Sequence, residues 1–104
     1  MLNSSTTTEK WAPIHPGEVL MEDFINGFGI TQNKLAVSIG VPPRRINEIV
    51  HGKRSITADT ALRLGRYFGM DPQFWLNLQS HYELELAEDR MAEQIAAITP
   101  LAVA

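Results

Sequence analysis

Three features of this sequence predict an all-α fold. Apolar residues between Pro16 and Ile98 recur at three- and four-residue spacing, the mark of helical faces. Glycines at 40, 52 and 69 cut that stretch into helix-sized segments. No run alternates apolar and polar residues over a useful length, so strands find no support. The expected architecture is a compact five-helix unit with an extended C-terminal helix. Its parts are a flexible polar tail over residues 1–12, a helical domain over 13–82 and a C-terminal extension over 83–104.

The first helix is expected from about Pro16, a residue favoured at the opening position, to about Phe28. Val19, Leu20, Phe24, Ile25 and Phe28 form its apolar face, while Glu18, Glu22 and Asp23 complement the helix dipole. Gly27 and Gly29 supply the stop. Thr31 is suited to cap a second helix that turns Leu35, Ala36 and Ile39 inward and ends at Gly40. A third starts at Pro42 or Pro43, buries Ile46 with Ile49 or Val50, and closes at Gly52. Thr57 caps a fourth, with Ala61, Leu62, Leu64 and Phe68 apolar and Gly69 after it. Asp71-Pro72 pairs an N-cap with a first-turn proline and opens a longer helix through about Ile98. On that helix Phe74, Trp75, Leu78 and Tyr82 pack on the domain. Leu84, Ala87, Met91, Ile95 and Ile98 continue as an apolar stripe on an otherwise acidic helix, which favours dimerisation.

A chain of 104 residues suits one domain. A domain of that size buries roughly 60–70% of the surface its unfolded chain exposes, enough for a core without metal or crosslinks. Cysteine is absent, which removes disulfides, thiolate metal sites and cysteine nucleophiles and is compatible with a reducing cytoplasm. The polar start, ending at Trp11, carries no apolar region of a secretory signal. Residues 95–104 form the longest apolar-rich stretch, too short to span a bilayer and broken by Thr99 and Pro100. A cytoplasmic protein with no membrane partner is expected.

The net charge of −3 hides an asymmetry. Residues 1–29 carry −3 and residues 71–104 carry −5. Residues 30–70 carry +5, from Lys34, Arg44, Arg45, Lys53, Arg54, Arg63 and Arg66 against Glu48 and Asp59. A basic middle between acidic ends suits a polyanion partner. Catalysis finds no matching constellation. His15, His51 and His81 stand 36 and 30 residues apart, no His-Glu-x-x-His or glycine-rich phosphate loop occurs, and no acidic calcium loop is present. No enzyme activity, metal or cofactor is expected.

Residues 31–52 carry the most specific pattern. Thr31-Gln32, Leu35-Ala36, Gly40-Val41, Ile46, Ile49 and Gly52 describe two short helices meeting at a tight turn. Glycine at 40 tolerates a positive φ, and Ala36 is small where the helices cross. This segment resembles the helix-turn-helix of the Xre/Cro-type repressor family, with its lambda-repressor-like fold. His15-Pro16-Gly17-Glu18-Val19-Leu20, the run from Val41 to Ala61, and Phe74-Trp75-Leu76-Asn77-Leu78-Gln79 narrow the resemblance to HigA-type antitoxins. It covers about His15 to Tyr82. The resemblance implies a homodimer that represses its own operon by binding double-stranded operator DNA. It also implies binding and inactivation of a RelE/HigB-like toxin, an mRNA-cutting ribonuclease.

In such folds the second motif helix enters the major groove, so Pro43, Arg44, Arg45, Asn47 and Glu48 are the expected base readers. Arg44 and Arg45 share base and phosphate contacts in an order the sequence leaves open. Pro42-Pro43 stands where many relatives carry glutamines, and offers apolar contact to a thymine methyl instead of donors. Thr31, Gln32, Asn33 and Lys34 open the first motif helix, where free N–H groups meet phosphate. Lys53, Arg54, Ser55 and Thr57 form a second backbone clamp, which positions without specifying sequence. Arg63 and Arg66 are expected as surface charges or ion pairs. The toxin would meet an acidic segment, either Glu18, Glu22 and Asp23 or the C-terminal helix. The alternative is a stand-alone Xre-type transcriptional regulator without a toxin partner.

Overall fold

The computed structural model describes residues 12–102. Apart from residue 12, the expected N-terminal tail lies outside the described residues. The regular structure of the described chain is helical: α1 (Pro16–Val19) running on into a π-helical segment (Leu20–Ile25), α2 (Gln32–Ile39), α3 (Pro43–Val50), α4 (Ala58–Phe68), α5 (Gln73–Arg90) and α6 (Ala92–Ala96). Among the described residues there is no strand.

The first helix departs from the expected register. Asn26 N–H donates to the Met21 carbonyl at 2.9 Å, a five-residue step, so the helix widens to π geometry. The wider turn stacks Leu20 and Ile25, five residues apart, on the buried face. Helical structure ends at Ile25 and residues 26–29 form turns, so the helix is shorter than the expected span to Phe28. Phe28 is 63% exposed, although its ring stacks on Phe68 at 5.5 Å. The Asn26-Gly27 dipeptide lies in these turns.

The core collects Leu20 and Ile25 from the first helix, Leu35, Ala36 and Ile39 from α2, Ile46 and Ile49 from α3, and Ala61 and Leu64 from α4. Trp75 of α5 closes it, fully buried, with Phe24 packed on its ring at 4.8 Å. The Trp75 indole N–H has no acceptor among the described residues. Leu62, expected among the apolar positions of α4, is exposed instead. It follows the buried Ala61 and lies two residues from the buried Leu64, on the outer side of the helical period.

Two glycines shape the motif. Gly40 ends α2 at φ 76°, in the left-handed region, and Val41 N–H returns to the Ala36 carbonyl at 3.0 Å. The chain then enters α3 with Pro42 as N-cap and Pro43 in the first turn. Gly17 makes a different contribution. A Cβ there would stand 1.8 Å from the Ile49 carbonyl oxygen, so only glycine lets α1 cross α3 at this separation.

The C-terminal helix is broken. Asp71 Oδ1 accepts from Gln73 N–H at 2.9 Å, the expected cap, and α5 then runs to Arg90. Met91 leaves helical geometry at φ −116°, ψ 21°, and α6 follows. The single helix to Ile98 is therefore two helices ending at Ala96. No described residue after Gln79 is fully buried, so core packing does not enforce one continuous axis. The molecule is elongated, 54 × 39 × 23 Å.

Candidate nucleic-acid interface

Alternation of buried and outward positions sets the face of α3. Ile46 and Ile49 are fully buried, which leaves Pro42, Pro43, Arg44 and Asn47 exposed and Arg45 and Glu48 half-buried. The arginines do not dangle. Arg44 donates through Nε to Glu48 Oε2 at 2.9 Å, and Arg54 donates through Nε to Glu48 Oε1 at 2.8 Å. Hydrogen bonds from Arg54 and then Arg44 hold the Glu48 carboxyl below the usual carboxylate range. Glu48, expected to read bases, thus has both oxygens engaged by cations.

A second acidic centre lies one element later. Asp59 Oδ2 accepts from Arg45 Nη1 at 2.7 Å, and both Asp59 oxygens lie within 3.2 Å of Arg63 Nε. The Arg45 bond first, and Arg63 next, lower the pKa of Asp59. Arg63 also donates through Nη1 to the Ile39 carbonyl at 2.7 Å, and so caps the C-terminal end of α2. Two carboxylates therefore organise four arginines across α3, the following loop and α4.

The opening of α2 faces the same side of the motif. Thr31 caps it, its Oγ1 accepting from Lys34 N–H at 3.0 Å. That bond uses the Lys34 N–H and leaves those of Gln32 and Asn33 with no hydrogen bond among the described residues. The Gln32 side chain turns toward α3, where its Oε1 accepts from Asn47 Nδ2 at 3.3 Å. Thr31, Asn33 and Lys34 are exposed.

The loop after α3 is exposed at Lys53, Arg54, Ser55 and Thr57 but anchored at Ile56. Ile56 is buried, and its N–H donates to Gln79 Oε1 at 2.8 Å. Gln79 is itself buried and donates through Nε2 to Glu83 Oε2 at 2.9 Å. Thr57 sits at the N-cap of α4 without a side-chain cap bond, contrary to its expected capping role. The exposed hydroxyl is a donor available to a ligand.

His15 supports the motif from behind. It is buried, its Nδ1 accepts from Gly17 N–H at 2.9 Å, and its ring meets Tyr82 edge-on at 4.8 Å. Burial holds its pKa below the ordinary 6.5, against the opposing pull of Glu18. His51 donates through Nδ1 to the Asn47 carbonyl at 2.7 Å.

The expected DNA-contacting residues fall into three hydrogen-bonded groups among the described residues: Arg44 and Arg54 on Glu48, Arg45 with Arg63 on Asp59, and Asn47 on Gln32. The stripe expected for dimerisation lies elsewhere, on α5, α6 and the segment after them. Leu84, Met91, Ile95 and Ile98 are exposed there and Ala87 is half-buried. Sequence reading assigned no DNA-face role to Asp59, Arg63 or Gln79. Pairings over 14 to 24 residues leave no local pattern, and only the acid and arginine content of 44–63 hinted at them. Among the described residues no group of three or more His, Asp or Glu is placed to hold a metal ion, and no helix is long and apolar enough to cross a membrane.

Two short helices packed across a left-handed glycine, with a cationic outer helix and an anchored basic loop, define a protein of the helix-turn-helix class. The helix-turn-helix family model matches residues 23–75. Virulence-associated protein I of Dichelobacter nodosus is 52% identical over 88 residues, 85% of this chain and 81% of that protein. Antitoxin HigA-1 of Vibrio cholerae is 33% identical over 94 residues, 90% of this chain and 89% of its own length. A solved structure of the Pseudomonas aeruginosa antitoxin HigA with the higBA promoter superposes with TM-score 0.83 and 46% identity, over 86% of this chain and 99% of that one. The chain belongs to the Xre-type helix-turn-helix family, and its relatives there include HigA antitoxins.

Proposed function

We propose that this chain is the antitoxin of a type II toxin–antitoxin module. It represses its own operon by sequence-specific binding of operator DNA as a homodimer, and it neutralises a RelE/HigB-like mRNA-cleaving toxin by direct contact. One observation carries the reading: the 46%-identical HigA whose structure includes its promoter shares this fold at TM-score 0.83. The face built on α3 supplies the matching chemistry.

In this reading α3 lies in the major groove, with Pro43, Arg44, Arg45, Asn47 and Glu48 at or beside base edges. Thr31, Gln32, Asn33 and Lys34 on one side, and Lys53, Arg54, Ser55 and Thr57 on the other, hold phosphates. Their contribution is electrostatic and salt-dependent rather than sequence-selective. Two such motifs bind half-sites about 34–36 Å apart, and Leu84, Ala87, Met91, Ile95 and Ile98 join the two copies. The toxin meets one of the acidic segments, whose potential suits a basic partner surface.

The test is a tagged pull-down from the native two-gene locus across a salt series, with a promoter gel shift on the purified chain. A stoichiometrically retained ribonuclease-like partner together with a promoter shift is the expected result. Promoter binding with no retained partner would leave a stand-alone regulator. No promoter binding would remove the repressor reading.

A further inference from the structure

Arg44 and Arg45 are adjacent in sequence but are held in different ways. Arg44 has an 85% exposed side chain and donates its Nε–H to Glu48. One donor of the side-on edge of its guanidinium, Nε, is therefore already taken. The Arg45 side chain is only 27% exposed, and its one hydrogen bond among the described residues runs from Nη1 to Asp59. That leaves its Nε–Nη2 edge, a rigid pair of parallel donors, without a protein partner. Such a pair matches the O6 and N7 acceptors of guanine.

Asp59 is fixed in turn. Arg63 grips both of its oxygens within 3.2 Å and is tied to the Ile39 carbonyl at 2.7 Å and the Gly40 carbonyl at 3.4 Å. The carbonyl end of α2, Arg63, Asp59 and Arg45 thus form one continuous chain of charge-assisted bonds. It runs from the turn of the motif to its outer helix. We propose that Asp59 is a positioning residue for sequence reading, which braces Arg45 through Nη1 so that its Nε–Nη2 edge is presented to a guanine. Arg44, with its Nε–H given to Glu48 and its side chain unbraced and exposed, is left to phosphate. The inference rests on the operator-binding reading above and adds to it the choice between the two arginines.

Asp59 is also an anion on a surface that meets phosphate. Removing its charge has two opposite effects: the brace is lost, while attraction to any DNA increases. A residue that only stabilised the fold would weaken all DNA binding alike. The experiment is fluorescence anisotropy of the full chain on its own promoter duplex and on a scrambled duplex of equal length, over a sodium chloride series. It is repeated with promoter duplexes in which single G·C pairs are replaced by A·T.

For Asp59→Asn, the preference for promoter over scrambled duplex falls about tenfold, the scale of one arginine–guanine fork. Binding to the scrambled duplex holds or tightens, and the salt slope steepens by up to about one. One G·C replacement that weakens wild-type binding no longer matters to the variant. Arg45→Lys, which keeps the charge and loses the fork, gives the same loss at the same base pair, whereas Arg44→Lys does not. The double variant of Asp59→Asn with Arg45→Lys loses no more than either alone.

Equal weakening on both duplexes, or an unchanged preference, overturns the positioning role. If Asp59→Asn does not fold, the two lysine variants decide: an equal loss from both, or a larger one from Arg44→Lys, also overturns it. A wild-type chain with no preference for its promoter overturns the operator reading and this inference together.

Discussion

The motif face and the C-terminal arm solve opposite problems. Residues 31–59 expose charge but hold their arginines and carboxylates on partners: Glu48 carries two arginines, Asp59 carries Arg45 and Arg63, and Gln32 reaches Asn47. Beneath them Leu35, Ala36, Ile46 and Ile49 are fully buried. The arm over 83–102 buries nothing fully, and Leu84, Ile95 and Ile98 stand more than half exposed. One region is organised before any partner arrives. The other leaves apolar side chains in solvent, the pattern expected of an association surface.

That contrast fixes the order of mutational effects. The largest is expected in the core under the motif. Ile46→Ala leaves a cavity beneath the recognition helix and costs about 2–5 kcal/mol, read as a fall in the urea midpoint at unchanged slope. An equal-sized loss from Ile95→Ala would erase the contrast between the regions. Next comes the charged face. Arg44→Ala combined with Arg45→Ala is expected to lower promoter affinity by about tenfold or more while circular dichroism and toxin binding are unchanged. Unaltered promoter binding would remove α3 from the interface.

The arm should behave in the reverse way. At concentrations where the chain is monomeric, Ile95→Ser with Ile98→Ser is expected to change unfolding free energy within about 0.5 kcal/mol per substitution, as exposed positions do. It should nevertheless shift sedimentation equilibrium toward monomer. An unchanged association constant would move the dimer contact to another surface. Smaller still is the effect of Lys53→Ala, expected to weaken promoter and scrambled duplex alike and to lower the salt slope by about one. A selective loss on the promoter would make Lys53 a base reader.

The pH dependence tests the support behind the motif. Burial lowers the pKa of His15 in the folded chain below its ordinary 6.5. As pH falls through 6.5 the unfolded chain takes up a proton that the folded chain refuses, so stability decreases. The decrease ends once pH passes the lower, folded pKa and both states are protonated. His15→Asn keeps a cap acceptor and should flatten this part of the profile in urea titrations. An unflattened profile would assign the proton to another group.

Much of this organisation was legible in the sequence because it is local. Thr31 three residues before Lys34, Gly40 after Ile39 and Pro43 at the head of α3 are capping signals complete within a few residues, and all three function as read. Apolar spacing likewise identified Leu35, Ala36, Ile39, Ile46 and Ile49 as inner positions. What escaped depends on distance in sequence or on small backbone preferences. Asp59 meets Arg45 across fourteen residues and Gln79 meets Ile56 across twenty-three. No periodicity encodes either pair. The five-residue step in the first helix and the break at Met91 cost little locally, and packing, or its absence, selects them. Phe28 and Leu62 show the limit of reading hydrophobicity as burial, since many apolar side chains of a folded protein stay in contact with water.

The most direct test of the account is an amide chemical-shift map of the nitrogen-15-labelled chain, recorded with and without its own promoter duplex. The account predicts shifts concentrated at residues 31–34, 44–48 and 53–59, with residues 84–98 unaffected. Shifts concentrated at 84–98, or an even response to promoter and scrambled duplex, would contradict it.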